Sequence, residues 1–326
     1  MRTSADRPGP RGERLDLLVY SPKPDSYGER IAQAFPDVAP RIADTHDALR
    51  RGLETADILL AGRFPAELLK EARRLRWLQV TNAGVDFLSG AALDPALLVT
   101  NARGVHAQLM ADYAMTVIGM LRWRLARLLD QQRARRWEQV PVAPLSRSTL
   151  FLVGLGAIGG AIARRAKAAG MRVLAVSNSG IDRAGVADRT GRLEDLDSFL
   201  PEADFVVLVV PSTYRTRGLF DRARLDRMKP SAFLINMARG DVVDEEALLE
   251  ALEAGVIAGG VSDVFRTEPL PADNPLWTAP NFIVTPHVSG FLPDYEELVF
   301  AIFAENLRAF RAGLPLTNRV DPAAGY

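Results

Sequence analysis

Short apolar runs alternate along this chain with segments of helical period. Between residues 15 and 103 the runs DLLVYS (16–21), DILLAG (57–62) and WLQVTN (77–82) have the length and composition of buried strands. FPAELLKEARRL, from Phe64, carries helical spacing, so this part predicts a small α/β domain on a parallel sheet. A helical pattern then runs from about His106 to Gln132. RARRWEQVPVAPLSRS, with two prolines and many polar residues, reads as a connector or arm. From Thr149 six apolar runs follow in order: TLFLVG (149–154), RVLAVS (172–177), FVVLVV (205–210), FLINM (233–237), GGVSDVF (259–265) and FIVTP (282–286). Helical segments such as IGGAIARRAKAAG and DEEALLEALEAG fill several of the gaps, which is the pattern of a doubly wound parallel sheet.

A length of 326 residues suits two domains, each able to bury its own core. The helical segment from Pro293 to Ala312 and the short tail after it cannot make a third core. They are expected to pack back on the first domain, which becomes discontinuous: residues 15–104 with 288–326, around a second domain of residues 105–287. The first fourteen residues, rich in Arg, Pro and Gly, read as a disordered lead-in with no signal-peptide core, and no run is long and apolar enough to span a membrane, so the cytoplasm is the expected location. Forty basic and forty acidic side chains leave no net charge, which removes the whole-chain case for a nucleic-acid or membrane partner. There is no cysteine, hence no disulfide or thiolate chemistry, and three scattered histidines without H-E-x-x-H argue against a metal site. Six arginines in LRWRLARLLDQQRARRW (122, 124, 127, 133, 135 and 136) read as a solvated helix face or a subunit contact rather than an anion site.

GLGAIG stands directly after a predicted strand and opens a predicted helix, with Gly154, Gly156 and Gly159 in the G-x-G-x-x-G spacing. In that context the glycines allow a tight turn, close approach of a pyrophosphate and close helix–strand packing, while the helix N-terminus, through residues such as Ala157 and Ile158, offers free amides. The chain therefore predicts a nicotinamide dinucleotide. An acid at the end of the second strand would hold the ribose hydroxyls of NAD; Ser177, Asn178 and Ser179 stand there instead, with Asp182 and Arg183 close by. The missing acid tips the expectation to NADP(H) over NAD(H). Pro211, Thr216, Ala238 and Asp263 complete the expected cofactor contacts.

Ligands of such a sheet bind beyond the carboxyl ends of its strands, and three strands deliver an ionisable residue there. Arg239 follows the fourth in NMARGD, Glu268 the fifth in DVFRTEPL, and His287 the sixth in VTPHVSG. In the usual strand order these three are neighbours, and their chemistry suits hydride transfer to a 2-oxo acid. A guanidinium fork holds the carboxylate and polarises the carbonyl, and the histidine gives a proton to the developing alkoxide. The glutamate, bonded to the far ring nitrogen, orients the ring and stabilises the imidazolium. His46 reads as a surface residue near a helix start. His106, at the start of the long helix, reads as a packing or capping residue.

These motifs, in this order, resemble those of the D-2-hydroxyacid dehydrogenases, and WLQVTNAGVDFL, TNARGVH and GLPLTNRVDPAAGY extend the resemblance to nearly everything after residue 15. It implies a Rossmann-type doubly wound domain and a smaller, discontinuous flavodoxin-like α/β domain. It implies NAD(P)-dependent reduction of a small 2-oxo acid to a D-2-hydroxy acid, reversibly, with Arg239, Glu268 and His287 as the catalytic set. It also implies that Ala83, Gly84 and Val85 offer backbone amides to the substrate carboxylate, that substrate lies between domains that close over it, and that the protein is a homodimer, with residues 119–148 as the place to look for the contact. Two departures from the family's pattern stand out: Ser177 in place of the NAD-selecting acid, without the paired arginines of NADP-preferring members, and Arg266–Thr267 before Glu268. Glyoxylate, hydroxypyruvate, phenylpyruvate or a branched 2-oxo acid would present the same carboxylate and carbonyl to Arg239; selectivity is expected near Arg63, Phe64 and Phe291. Two alternatives share the trio: a dinucleotide-sensing corepressor, against which stands the absence of a long disordered extension, and a phosphite dehydrogenase.

Overall fold

A computed structural model describes residues 15–88, 90–182 and 184–320 of the chain. The lead-in, Arg183 and the last six residues, on which expectations were stated above, lie outside the described residues. In chain order the strands are β1 (Leu17–Tyr20), β2 (Arg41–Ala43), β3 (Ile58–Ala61), β4 (Trp77–Val80), β5 (Leu98–Thr100), β6 (Thr149–Val153), β7 (Arg172–Ser177), β8 (Arg189–Arg192), β9 (Phe205–Leu208), β10 (Phe233–Asn236), β11 (Gly259–Ser262) and β12 (Phe282–Val284). The α-helices are α1 (Pro24–Ala34), α2 (His46–Leu53), α3 (Ala107–Arg122), α4 (Leu125–Arg133), α5 (Ala157–Ala168), α6 (Leu196–Phe199), α7 (Arg222–Leu225), α8 (Glu245–Glu253) and α9 (Tyr295–Ala312). No described helix is long and apolar enough to cross a membrane.

The described residues form two compact units, one holding residues 15–105 and 292–320, the other running from His106 to Phe291. The sequence places the second break at 287/288. Residues 288–290 stay with the second unit because the Asp263 carboxylate takes the amides of Val288 and Ser289, and Gly290 lies against the His106 ring.

The first unit is a parallel sheet in the order β2-β1-β3-β4-β5, the flavodoxin-like arrangement. Its four-residue strands are the three apolar runs. The three-residue β2 and β5 complete the sheet without an apolar run that would single them out, and the stretch expected to be a helix after Phe64 is instead a 3₁₀ turn, Ala66–Glu71. α9 belongs here because Phe303 and Phe310 stack on Trp77 with ring centres 5.3 and 5.5 Å apart. Beneath them lies a buried polar chain: Trp77 Nε1 donates to Thr100 Oγ1, Thr100 Oγ1 to Gln79 Oε1 and Asn306 Nδ2 to Gln79 Oε1. Each buried polar atom thereby keeps a partner.

The second unit is a seven-stranded parallel sheet, β12-β11-β10-β9-β6-β7-β8. The expected six strands are all present; the seventh, β8, is the polar edge strand RTGR, invisible to a search for apolar runs. Side chains alternate between its faces, Phe151 and Val153 entering one core cluster and Leu150 and Leu152 the other, where α3 and α5 pack. The helix expected to run unbroken to Gln132 breaks at Arg124, which takes the left-handed conformation (φ 49°) between α3 and α4.

Candidate active site

The glycine-rich turn is built by close approach. Gly154 has φ 112°, and a Cβ there would lie 2.8 Å from the Val209 carbonyl; a Cβ on Gly159 would lie 2.1 Å from the Gly154 carbonyl oxygen. α5 is thus drawn tightly against the end of β6. Gly156 differs, since nothing lies within 4 Å of the Cβ it lacks. With Gly156 and Ala157 exposed and Ile158 half-buried, the first amides and positive dipole end of α5 face open space, a setting that fits a dinucleotide pyrophosphate.

At the end of β7 the Ser177 and Ser179 hydroxyls accept the amides of Gly180 and Ile181. Two arginines not singled out by the sequence join them: Arg192 stands opposite Ser177 in the β7–β8 register, and Arg215 Nη1 donates to Asn178 Oδ1 at 3.3 Å while pairing with Glu194. Nothing in spacing marks either, because one comes from the polar edge strand and the other from the loop after β9. Asp182 is engaged by its own loop, its oxygens accepting the amides of Ala184, Val186 and Ala187. Burial works against its ionisation, but amides of Ala187, Ala184, Val186 and Gly185 outweigh it and hold the carboxyl below the usual range. Pro211 is exposed, and Thr216, nearly buried, closes the loop by donating to the Pro211 carbonyl.

β10, β11 and β12 are neighbours, so their carboxyl ends bring three loops together. Asn236 pins the first: its side chain accepts the Ala238 amide and donates to the Arg239 carbonyl. Gly240 must be glycine, since a Cβ there would lie 1.9 Å from the Phe265 carbonyl carbon; its absence lets the Arg239 loop run against the Glu268 loop. Glu268 Oε1 accepts the Phe265 amide at 2.9 Å, and Oε2 faces His287 Nδ1 at 2.8 Å. A carboxylate there assigns the Nδ1 proton and leaves Nε2 as the atom that exchanges a proton outward.

The segment 115–289 matches the family model for the D-isomer specific 2-hydroxyacid dehydrogenase NAD-binding domain. Glyoxylate/hydroxypyruvate reductase B of Serratia proteamaculans is 31% identical over 320 residues, spanning 94% of this chain and 97% of that protein. The chain belongs to the D-isomer specific 2-hydroxyacid dehydrogenases. It is an NAD(P)-dependent enzyme of that family. Among solved structures, a family member from Aeromonas salmonicida is 38% identical with a TM-score of 0.81, covering 95% of this chain and 100% of that one. Another, from Xanthobacter autotrophicus in complex with NADPH and MES, is 30% identical with a TM-score of 0.86, covering 96% and 100%.

In this dehydrogenase Asp263, expected among the cofactor contacts, is fully buried and has a structural task. Its oxygens accept Thr285 Oγ1 and the amides of Val288 and Ser289, and its carbonyl accepts the His287 amide, so it anchors the loop in which His287 takes φ 53°. His106 makes no side-chain cap on α3; it packs, half-buried, against Gly290. Burial, followed by the charges of Arg239 and His287, lowers its pKa, against a hydrogen bond to the Gly290 backbone that works the other way. His46 is exposed and begins α2, 5.7 Å from the Tyr20 ring.

Ala83, Gly84 and Val85 belong to the other unit, beyond the carboxyl end of β4, where Asn101 Nδ2 holds the Ala83 carbonyl at 2.6 Å. Beside that loop Arg63 pairs with Asp86 at 3.1 Å, and a groove of about 730 Å³ is lined by His46, Arg63, Phe64, Lys70 and Phe87. Phe291 is 80% exposed. Of the six arginines, Arg122 packs over Phe205 and bonds Ser148, whereas Arg127, Arg133 and Arg136 make exposed ion pairs along α4 and the arm.

Proposed function

We propose that this dehydrogenase reduces a small 2-oxo acid of the glyoxylate or hydroxypyruvate kind to the D-2-hydroxy acid, reversibly, with NADPH favoured over NADH. The observation that carries the reading is the Glu268–His287 pair, with the second glutamate oxygen fixed by the Phe265 amide. The Arg239 fork binds the substrate carboxylate and polarises the carbonyl. His287 Nε2 protonates the carbonyl oxygen as negative charge develops on it and takes the proton back in the oxidative direction. Glu268 keeps the ring aimed and stabilises the imidazolium. A nicotinamide dinucleotide bound along Gly154, Gly156 and Gly159 supplies the hydride. Ala83, Gly84 and Val85 add amides for the carboxylate, with side-chain selection from the region of Arg63, Phe64 and Phe291.

Ser177, Asn178, Arg192 and Arg215 support the choice of NADP(H): two hydroxyl or amide groups and two guanidinium groups gather at the end of β7 as donors for a 2′-phosphate, β7 itself ends without an acid, and the nearby Glu194 is paired with Arg215. NADPH in the Xanthobacter autotrophicus relative points the same way, and the name of the Serratia proteamaculans relative supports the substrate class. We also read residues 119–148 as the contact of a homodimer, supported by Trp123 and Trp137, which are 60% and 94% exposed. Steady-state oxidation of NADPH and NADH with glyoxylate, hydroxypyruvate, pyruvate, phenylpyruvate and 2-oxoisocaproate tests the reading; cofactor binding without turnover on any of them contradicts it. Light scattering tests the dimer, with a single monomeric mass as the contrary result.

A further inference from the structure

α3 touches the His287 loop at two points. Tyr113 OH lies 2.7 Å from Thr285 Oγ1, and Thr285 Oγ1 lies 2.5 Å from Asp263 Oδ1. An ionised carboxylate only accepts, so the single Thr285 hydroxyl hydrogen goes to Asp263 and Tyr113 donates to Thr285. The result is a directed chain from Tyr113 through Thr285 to a buried carboxylate, which also gathers the consecutive amides of Val288 and Ser289 in the same loop. Burial pushes the Tyr113 hydroxyl up to about 12, so it keeps its proton as a donor at every working pH. Seven residues before Tyr113, two helical turns away on the same face, stands His106. A Cβ on Gly290 would lie 3.2 Å from His106 Nδ1, so the ring rests on the loop backbone.

Between these two points the loop holds His287 in the left-handed conformation, which a non-glycine residue keeps only when its surroundings over-determine it. Both partners of the catalytic pair are open to solvent, with side chains 51% (His287) and 36% (Glu268) exposed, so the pair itself gives the ring little lateral support. The two connections between the units fall at 105/106 and 291/292, each within one residue of the His106–Gly290 contact.

We propose that Tyr113 and His106 are positioning residues for the reaction, α3 holding the loop of residues 285–290 from both ends so that the His287 ring stays aimed by Glu268. This rests on the reading of His287 as the acid and base. Neither residue needs to touch substrate; a displaced proton donor lowers the rate because small misplacements of a reacting group are costly.

The test uses the full-length enzyme. Tyr113→Phe and Thr285→Val each lower kcat about tenfold with little change in the KM for NADPH, and both alter the pH profile of kcat. Thr285→Ser, which keeps the hydroxyl, restores both rate and profile. Because the two groups form one chain, the double variant Tyr113→Phe/Thr285→Val loses no more than either alone. At the second point, Gly290→Ala pushes against the His106 ring and lowers kcat, and adding His106→Ala makes room for the methyl and recovers part of it. Wild-type kcat and pH profile in folded Tyr113→Phe and Thr285→Val, or fully additive losses in the double variant, overturn the hydroxyl chain. Failure of His106→Ala to recover any rate in Gly290→Ala overturns the second contact. An active His287→Ala enzyme instead removes the reading beneath the proposal, so the two failures are distinguishable.

Discussion

The two halves of the seven-stranded sheet are held by different means. In the half made by β10, β11 and β12, the site is assembled by backbone contacts that leave no latitude. Gly240 runs so close to Phe265 that a Cβ would lie 1.9 Å from its carbonyl carbon, His287 is fixed at positive φ, and a fully buried Asp263 gathers the loop amides. In the half made by β6, β7 and β8, the glycine turn is equally tight at Gly154 and Gly159, but the far end is an exposed collection of hydroxyls and ion pairs, Ser177 and Ser179 beside Arg192, Arg215 and Glu194. Aiming a proton donor needs rigidity, whereas choosing between two cofactors needs charge at a surface position that sequence can alter without disturbing the core. On the proposed reading, the half that carries His287 must keep its geometry, whereas the half that carries Ser177 can exchange its surface charges.

The strongest break comes from His287→Ala, which lowers 2-oxo acid reduction by at least about 100-fold while leaving NADPH affinity unchanged, as read by steady-state rates and fluorescence titration. Loss of cofactor binding in parallel would merge the two halves. Next, Gly240→Ala and Gly156→Ala divide stability from binding. The first forces a methyl into the Phe265 backbone, costs about 3 kcal/mol or more and lowers the thermal midpoint; the second meets nothing in the protein, leaves the midpoint in place and weakens the cofactor. Equal midpoints for the two variants would undo that division.

On the cofactor side, Arg215→Ala and Ser177→Asp each lower the NADPH-to-NADH ratio of kcat/KM about tenfold, with the rate on saturating NADH preserved. An unchanged ratio in both would remove the 2′-phosphate assignment. The smallest effect is on stability against pH. His106 has its folded pKa below the ordinary 6.5, so as pH falls from 6.5 toward the folded value the unfolded chain binds a proton that the folded chain does not. Stability therefore falls with pH across that window, and His106→Asn flattens the fall in denaturant titrations. A steeper fall in the variant would reverse the sign.

Much of this site could be read before the fold was known, because it uses residues whose chemistry and position coincide. Glycines follow the first apolar run of the second domain, and Arg239, Glu268 and His287 each follow a later one, so strand ends found by hydropathy lead directly to them. Arg192 and Arg215 were hidden because β8 has no apolar residue and Arg215 sits in a loop among several arginines. Tyr113 and Thr285 were hidden for a different reason, being separated by 172 residues and joined only by the fold, which brings α3 to the segment just beyond β12. Three-residue strands such as β2 and β5 are fixed by their neighbours in the sheet rather than by their own residues.

The most direct measurement is turnover of NADPH with glyoxylate and hydroxypyruvate by the wild-type enzyme and His287→Ala side by side, with the product resolved for handedness. The account predicts the D-2-hydroxy acid from the wild type and a loss of at least about 100-fold in a variant that still folds and binds NADPH. Near-normal turnover by that variant, or a wild-type protein that binds NADPH and reduces neither substrate, would contradict it.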